Sequence, residues 1–240
     1  MVANQILASG GMWLSLHGTE ILVDPGPGCI VHSTKRKLQA DTLDGIILSH
    51  RHLDHSGDVN IMVEAMTQGG FKPRGRFFAP ADALGHEPII FSYLKEYLDS
   101  VEVLEAGKTY SLNGVSFTTP IRHIHPVETY GMIFTTPEHR FSYITDTRYF
   151  DGLLESYGGE LIIINVVFNE PNPRIDHLAV PDAKRIIEGL KPRTAILTHF
   201  GMPIWHAKPW EIAETLSQET GVRVISARDG MRFDLSHPEG

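Results

Sequence analysis

Cysteine is all but absent from this chain. Cys29 is the only one in 240 residues, which excludes an internal disulfide and a thiolate metal cluster and accords with a reducing compartment. Long apolar runs are missing too: no segment approaches the roughly 18 consecutive apolar residues of a membrane span. The stretch Met1 to Gly11 has no basic cluster of the kind that opens an export signal. A cytoplasmic protein with no membrane partner is the expectation. Basic residues are outnumbered, 21 against 29 acidic ones, for a formal charge of −8. Such a surface disfavours a large nucleic-acid footprint and favours a small-molecule substrate. There is no short-period repeat and no Gly-, Ser- or Pro-rich linker, so a single domain over residues 1–240 is expected.

Histidine, by contrast, is abundant, with 13 residues, and it is both the commonest metal ligand and the side chain that titrates near neutrality. The apolar pattern shows where these histidines fall. Met12–Leu16 and Glu20–Asp24 read as a hairpin around His17-Gly18-Thr19, followed by the turn Pro25-Gly26-Pro27-Gly28. Gly45–Ser49 reads as a buried strand, and from Asp58 to Gln68 the spacing becomes helical. Pro88–Leu98 predicts a second helix. Strands are predicted at Val115–Arg122, Gly131–Thr135, Arg140–Thr145, Leu161–Val167 and Thr194–Thr198, and helices at Pro181–Leu190 and Pro209–Thr220. Val222–Ser226 and Met231–Leu235 close with a hairpin-like pair. Meandering strands followed by strand–helix alternation suggest two packed sheets with helices outside.

Between the buried strand and its helix lies Ser49-His50-Arg51-His52-Leu53-Asp54-His55-Ser56-Gly57-Asp58, an H-x-H-x-D-H array. On an extended segment His50 and His52 project to one side and can reach one ion. Asp54 and His55, at the turn into the helix, can point toward a second. Imidazole and carboxylate without thiolate suit Zn²⁺, with Mn²⁺ or Fe as alternatives. A surface loop that happens to be rich in histidine is the plain alternative, but a solvated loop has no reason to follow a buried strand with polar groups this dense.

With this array the chain resembles the metallo-β-lactamase superfamily, whose further motifs find matches in order. Asp24 ends Ile21-Leu22-Val23-Asp24, His125 lies in His123-Ile124-His125-Pro126, Asp146 follows Tyr143-Ile144-Thr145, and His199 follows Ile196-Leu197-Thr198. The resemblance implies an α/β (α+β) fold, a four-layer αββα sandwich of two mixed sheets flanked by helices. It also implies two divalent metal ions: His50, His52 and His125 on the first, Asp54, His55 and His199 on the second, and Asp146 between them. Asp24 would bind no metal but orient a ligand; the plain alternative is a turn residue before Pro-Gly. On residues alone, His123 and His125 share a face and either could be the third-motif ligand. The segment His-Pro-x-x-x-Tyr-Gly resembles the ribonuclease Z-like branch and favours His125.

The same resemblance implies hydrolysis by a metal-bridging hydroxide, with Asp54 orienting the water or accepting its proton. Asp at 146, with Cys29 far from the motifs, separates the chain from lactamases that use a Cys ligand. His52 stands where the oxygen-reducing diiron branch carries Glu, and the short span from His125 to Asp146 leaves no room for a tRNA-gripping arm. What remains is similar to small phosphodiesterases acting on a small phosphodiester or cyclic nucleotide. The alternative is a hydrolase of a lactone, thioester or other carboxylic ester on the same fold. His177, in Asp176-His177-Leu178, reads either as an ordinary helix-start residue or as the acid that protonates the leaving group. A homodimer is compatible with all of this.

Overall fold

The computed structural model describes residues 6–9 and 11–237. Residues 1–5, Gly10 and residues 238–240 of the expected 1–240 domain, and with them most of the Met1–Gly11 stretch, lie outside the described residues. Twelve strands are found among them: β1 (Met12–Leu16), β2 (Thr19–Val23), β3 (Gly45–Ile47), β4 (Arg76–Pro80), β5 (Ser100–Leu104), β6 (Lys108–Leu112), β7 (Val115–Thr119), β8 (Met132–Thr135), β9 (Arg140–Ile144), β10 (Leu161–Asn165), β11 (Thr194–Thr198) and β12 (Arg223–Ser226). They form two sheets, ordered β1-β2-β3-β4-β5 and β12-β11-β10-β9-β8-β7-β6. Both are mixed: β1 runs antiparallel to β2 while β2–β5 pair in parallel, and β8 runs antiparallel to β9 while β9–β12 pair in parallel. Parallel neighbours need crossover connections, and helices supply them. No helix of the described residues is long and apolar enough to cross a membrane.

Contacts divide the chain into two compact units, Met1–Ser116 with Val127–Tyr130, and Phe117–Pro126 with Gly131–Gly240. In the first, Leu22, Ile46, Phe77 and Ala79 of the sheet and Val59, Met62, Val63 and Met66 of the helix Val59–Met66 belong to one buried cluster. The helical spacing of those four residues is what buries one face of the helix. In the second unit every residue of β10 is buried, as a strand with parallel neighbours on both sides should be. The helix Val180–Leu190 buries Ala183, Ile186 and Ile187, and the Asp182 carboxylate accepts from the Ala179 amide at its start (2.9 Å).

Two local expectations fail. The segment Pro88–Leu98 forms only one helical turn, Ser92–Lys95. Its upstream backbone groups are satisfied elsewhere: Ile89 N–H donates to Ala83, Ile89 C=O accepts from the Asn60 amide, and Phe91 N–H donates to the Asn60 carbonyl oxygen. These contacts replace the i→i−4 ladder. Met231–Leu235 is no strand; β12 instead pairs in parallel with β11. Arg76–Pro80, Ser100–Leu104 and Lys108–Leu112, which carry charge or proline within their runs, are strands that hydrophobic pattern alone does not reveal.

Candidate metal centre

In the first unit the histidine array leaves β3 as an extended segment and enters a short helix, Leu53–Ser56, with His52 at its start. The turn after β2 lies directly beneath it. A Cβ added to Gly26 would come within 2.0 Å of the Asp54 carbonyl oxygen, so only glycine fits there. The Asp58 amide donates to the Pro25 carbonyl (2.8 Å), and the Asp58 carboxylate accepts from the Ile30 amide (3.0 Å).

Asp24 organises this loop. It is 4% exposed, and its carboxylate accepts the Ser49 amide and the Ser49 hydroxyl, both at 2.7 Å, and lies 3.0 Å from His55 Nδ1. A carboxylate can only accept, so His55 carries its proton on Nδ1 and its lone pair on Nε2. Because the Ser49 hydroxyl gives its proton to Asp24, it must accept from His50 Nδ1 at 3.0 Å, which fixes His50 in the same tautomer. One buried carboxylate thus sets two imidazoles. The His50 ring lies 4.9 Å from that of His52 and 4.1 Å from that of His55, and His55 Nε2 is 3.8 Å from the Asp54 carboxylate. That last separation is too long for a hydrogen bond and suits two ligands of one cation.

In the second unit Asp146 is the centre. It follows β9, is 2% exposed, and accepts from the Asn165 amide at 2.8 Å. His177 Nδ1 lies 3.6 Å from one of its oxygens and His199 Nδ1 3.8 Å from the other. One ligand atom from each of His125, Asp146 and His177 falls within 4.8 Å of the others. His125 Nδ1 donates to the Asp176 carbonyl (3.0 Å), so its Nε2 also carries the lone pair.

His123 sits behind this group rather than in it. Its Nδ1 approaches the Asp146 carbonyl oxygen (3.3 Å) and its Nε2 the Tyr157 hydroxyl (2.7 Å); burial pushes its pKa down to about 4, against the raising effect of Asp146. His177 lies ahead of the helix start, with Ala179 as the flanking residue.

Two of the candidate residues have unusual backbones. Asp24 (φ 54°) and His199 (φ 62°) both adopt left-handed conformations directly after strands, a geometry uncommon for non-glycine residues that Asp, Asn and His tolerate better than most. Contributions that the sequence did not reveal are Ser49 as the link to His50, the Asp176 carbonyl, the His123–Tyr157 contact and Asn165. Asn165 alone left a trace, as the one polar residue ending an otherwise apolar strand, LIIIN.

Comparison with known proteins bears on family and fold. Residues 19–200 match the beta-lactamase superfamily domain, and the chain belongs to that family. The protein MJ1374 of Methanocaldococcus jannaschii is 32% identical over 236 residues, covering 95% of this chain and 88% of that protein. YhfI of Bacillus subtilis, a probable metallo-hydrolase, is 27% identical over 80% of each chain. Its crystal structure superposes with a TM-score of 0.80, at 21% identity over 93% of this chain and 90% of that one. A diphosphatase of the PhnP family superposes with a TM-score of 0.68, at 22% identity over 91% of this chain and 80% of that one. Fold and family together define a hydrolase of the metallo-β-lactamase fold with a His/Asp cluster able to hold metal.

Proposed function

We propose that the protein is a dinuclear metal-dependent phosphodiesterase acting on a small phosphodiester or a cyclic nucleotide. His50, His52 and His125 would hold one ion and Asp54, His55 and His199 the other, with Asp146 shared. The observation that carries this reading is the tautomer set: Asp24, Ser49 and the Asp176 carbonyl leave Nε2 of His50, His55 and His125 as the lone-pair nitrogen. Imidazoles oriented this way, with carboxylates and no thiolate, fit Zn²⁺ first and Mn²⁺ or Fe next. When bound, a pair of such ions supplies a water that ionises near neutrality and a Lewis acid for the charge that grows on the attacked group.

The chain's own residues do the rest. Asp54 orients the attacking water and takes its proton. His177, within reach of Asp146, gives a proton to the leaving oxygen. Arg148 is 57% exposed and its Nε lies 3.7 Å from the Asp176 carboxylate, where it can meet an anionic substrate. The −8 charge supports a small substrate over a large nucleic acid, and the PhnP-family diphosphatase offers a phosphate-ester precedent on the same fold. A cytoplasmic enzyme compatible with a homodimer completes the reading.

Turnover of bis(p-nitrophenyl) phosphate and cyclic nucleotides, measured beside a panel of lactones and thioesters, tests the substrate class. Ester turnover without phosphodiester turnover would replace this proposal with the ester-hydrolase reading. Metal content tests the ligand set: two ions per chain should fall to one in His199→Ala, and an unchanged count would remove His199.

A further inference from the structure

Two buried polar side chains in the second unit have no part in the chemistry above. His123 and Tyr157 are both buried, 3% and 6% exposed, and their hydrogen bonds lead to Asp146. The Asp146 carbonyl can only accept, so His123 Nδ1 carries the proton and donates to it (3.3 Å). His123 Nε2 must then accept, and the Tyr157 hydroxyl donates to it (2.7 Å). The Gly131 backbone packs against the Tyr157 hydroxyl, and its effect opposes the upward push of burial on the tyrosine's pKa. Gly131 has no room for a side chain: a Cβ would fall 2.5 Å from both the Tyr157 hydroxyl and the Tyr143 carbonyl, and 2.9 Å from the His123 ring. The relay therefore runs in one direction, Tyr157 O–H to His123 to the Asp146 peptide.

The segment bearing His123 is tied to that of Asp146 along its length. Ile124 N–H donates to the Thr147 hydroxyl (3.2 Å), and Arg148 N–H donates to the Ile124 carbonyl (3.1 Å). The other end of Asp146, its carboxylate, is held by the Asn165 amide. Asp146 is thus fixed at both ends: His123 anchors the peptide plane from which the side chain departs, and Asn165 aims the carboxylate.

We infer that His123 and Tyr157 are positioning residues for the metal centre, a buried Tyr–His relay that sets the Asp146 carboxylate where it can share a cation. The inference rests on the proposal that Asp146 is a metal ligand. Hydrogen-bonded partners behind a ligand typically change metal affinity by about 10- to 100-fold when removed. His123→Leu removes both hydrogen bonds at similar volume. His123→Asn keeps a donor where Nδ1 stood and loses only the tyrosine. Tyr157→Phe removes the hydroxyl alone.

The full-length protein and these three variants are titrated with Zn²⁺ against a chromophoric chelator, and the visible spectrum of the Co²⁺ form is recorded, with circular dichroism as the check on folding. His123→Leu should weaken the Asp146-dependent site about 10- to 100-fold and change the Co²⁺ bands. Tyr157→Phe should do the same to a smaller degree, and His123→Asn should recover most of the loss. Wild-type affinity and Co²⁺ bands in a folded His123→Leu variant would overturn the inference. If that variant does not fold, unchanged affinity and bands in Tyr157→Phe overturn it. A wild-type protein that binds neither ion refutes the metal proposal itself, an outcome distinct from three variants that bind like wild type.

Discussion

The candidate ligands fall into two halves, one in each unit, and these are built by different means. In the first unit four candidate ligands, His50, His52, Asp54 and His55, fall in one short loop, and a single side chain, Asp24, orients two of them. In the second unit His125, Asp146, His177 and His199 come from four separate segments. There each is oriented separately: the Asp176 backbone carbonyl holds His125, and the Asn165 amide and His123 hold Asp146. A contiguous loop can be aimed by one hub, because its residues already share a backbone. Scattered ligands need the fold itself, strand by strand, to bring them into register. The first half should therefore fail at one residue, whereas the second should lose function in smaller steps.

The hub gives the largest effect. Asp24→Ala removes a buried carboxylate and strands the Ser49 amide, the Ser49 hydroxyl and His55 Nδ1, at a cost of about 3 kcal/mol in the metal-free protein. The left-handed backbone at Asp24 (φ 54°) adds about 1 kcal/mol, since alanine tolerates it poorly. Asp24→Asn, which accepts that backbone and keeps one oxygen, should lose roughly half as much. Urea denaturation gives the stabilities and metal analysis of the purified variants gives the occupancy. An alanine variant with the wild-type midpoint and full metal content would show that Asp24 is only a turn residue and erase the contrast between the halves.

The second half is probed at His177. If it gives a proton to the leaving group, His177→Ala should slow a diester with a poorly acidic alcohol by about 10²-fold and spare a p-nitrophenyl ester, whose leaving group needs no proton. Metal content should stay at the wild-type value. A loss of metal instead would make His177 a ligand beside His125 and Asp146, as its 3.6 Å approach to the Asp146 carboxylate allows.

The same contrast explains what could be read from the sequence. The H-x-H-x-D-H array is a local pattern on an extended segment, and the order of the later Asp and His motifs, each closing an apolar run, made Asp146 and His199 candidates. The strands β8 to β11 were legible as short apolar runs bounded by turn residues, and the helix Pro209–Thr220 as apolar residues at helical spacing. Between Arg76 and Leu112 charged residues, proline and glycine interrupt such runs, so β4, β5 and β6 emerge only from pairing. The Tyr157 contact was invisible for a different reason: it joins residues 34 apart in sequence, and nothing near Tyr157 marks it as a partner for a histidine.

Cys29 offers the mildest test, of a buried ionisable group that serves packing alone. It lies in the apolar cluster of the first unit, with the Ser33 hydroxyl 3.8 Å away, and burial pushes its thiol from 9.0 up to about 12. In the unfolded chain the thiol ionises above pH 9, while in the folded one it stays protonated until about pH 12. The unfolded state therefore sheds its proton first, and the stabilising contribution, complete below pH 9, is lost as pH rises toward 12. At pH 10 the loss amounts to about 1.4 kcal/mol. Cys29→Ala leaves a small cavity whose cost is the same at pH 8 and pH 10, so the gap in unfolding free energy between wild type and variant should narrow by that amount between the two pH values. A gap that stays constant would mean that the thiol reaches water in the folded state and that the core around the first half is looser than its packing indicates.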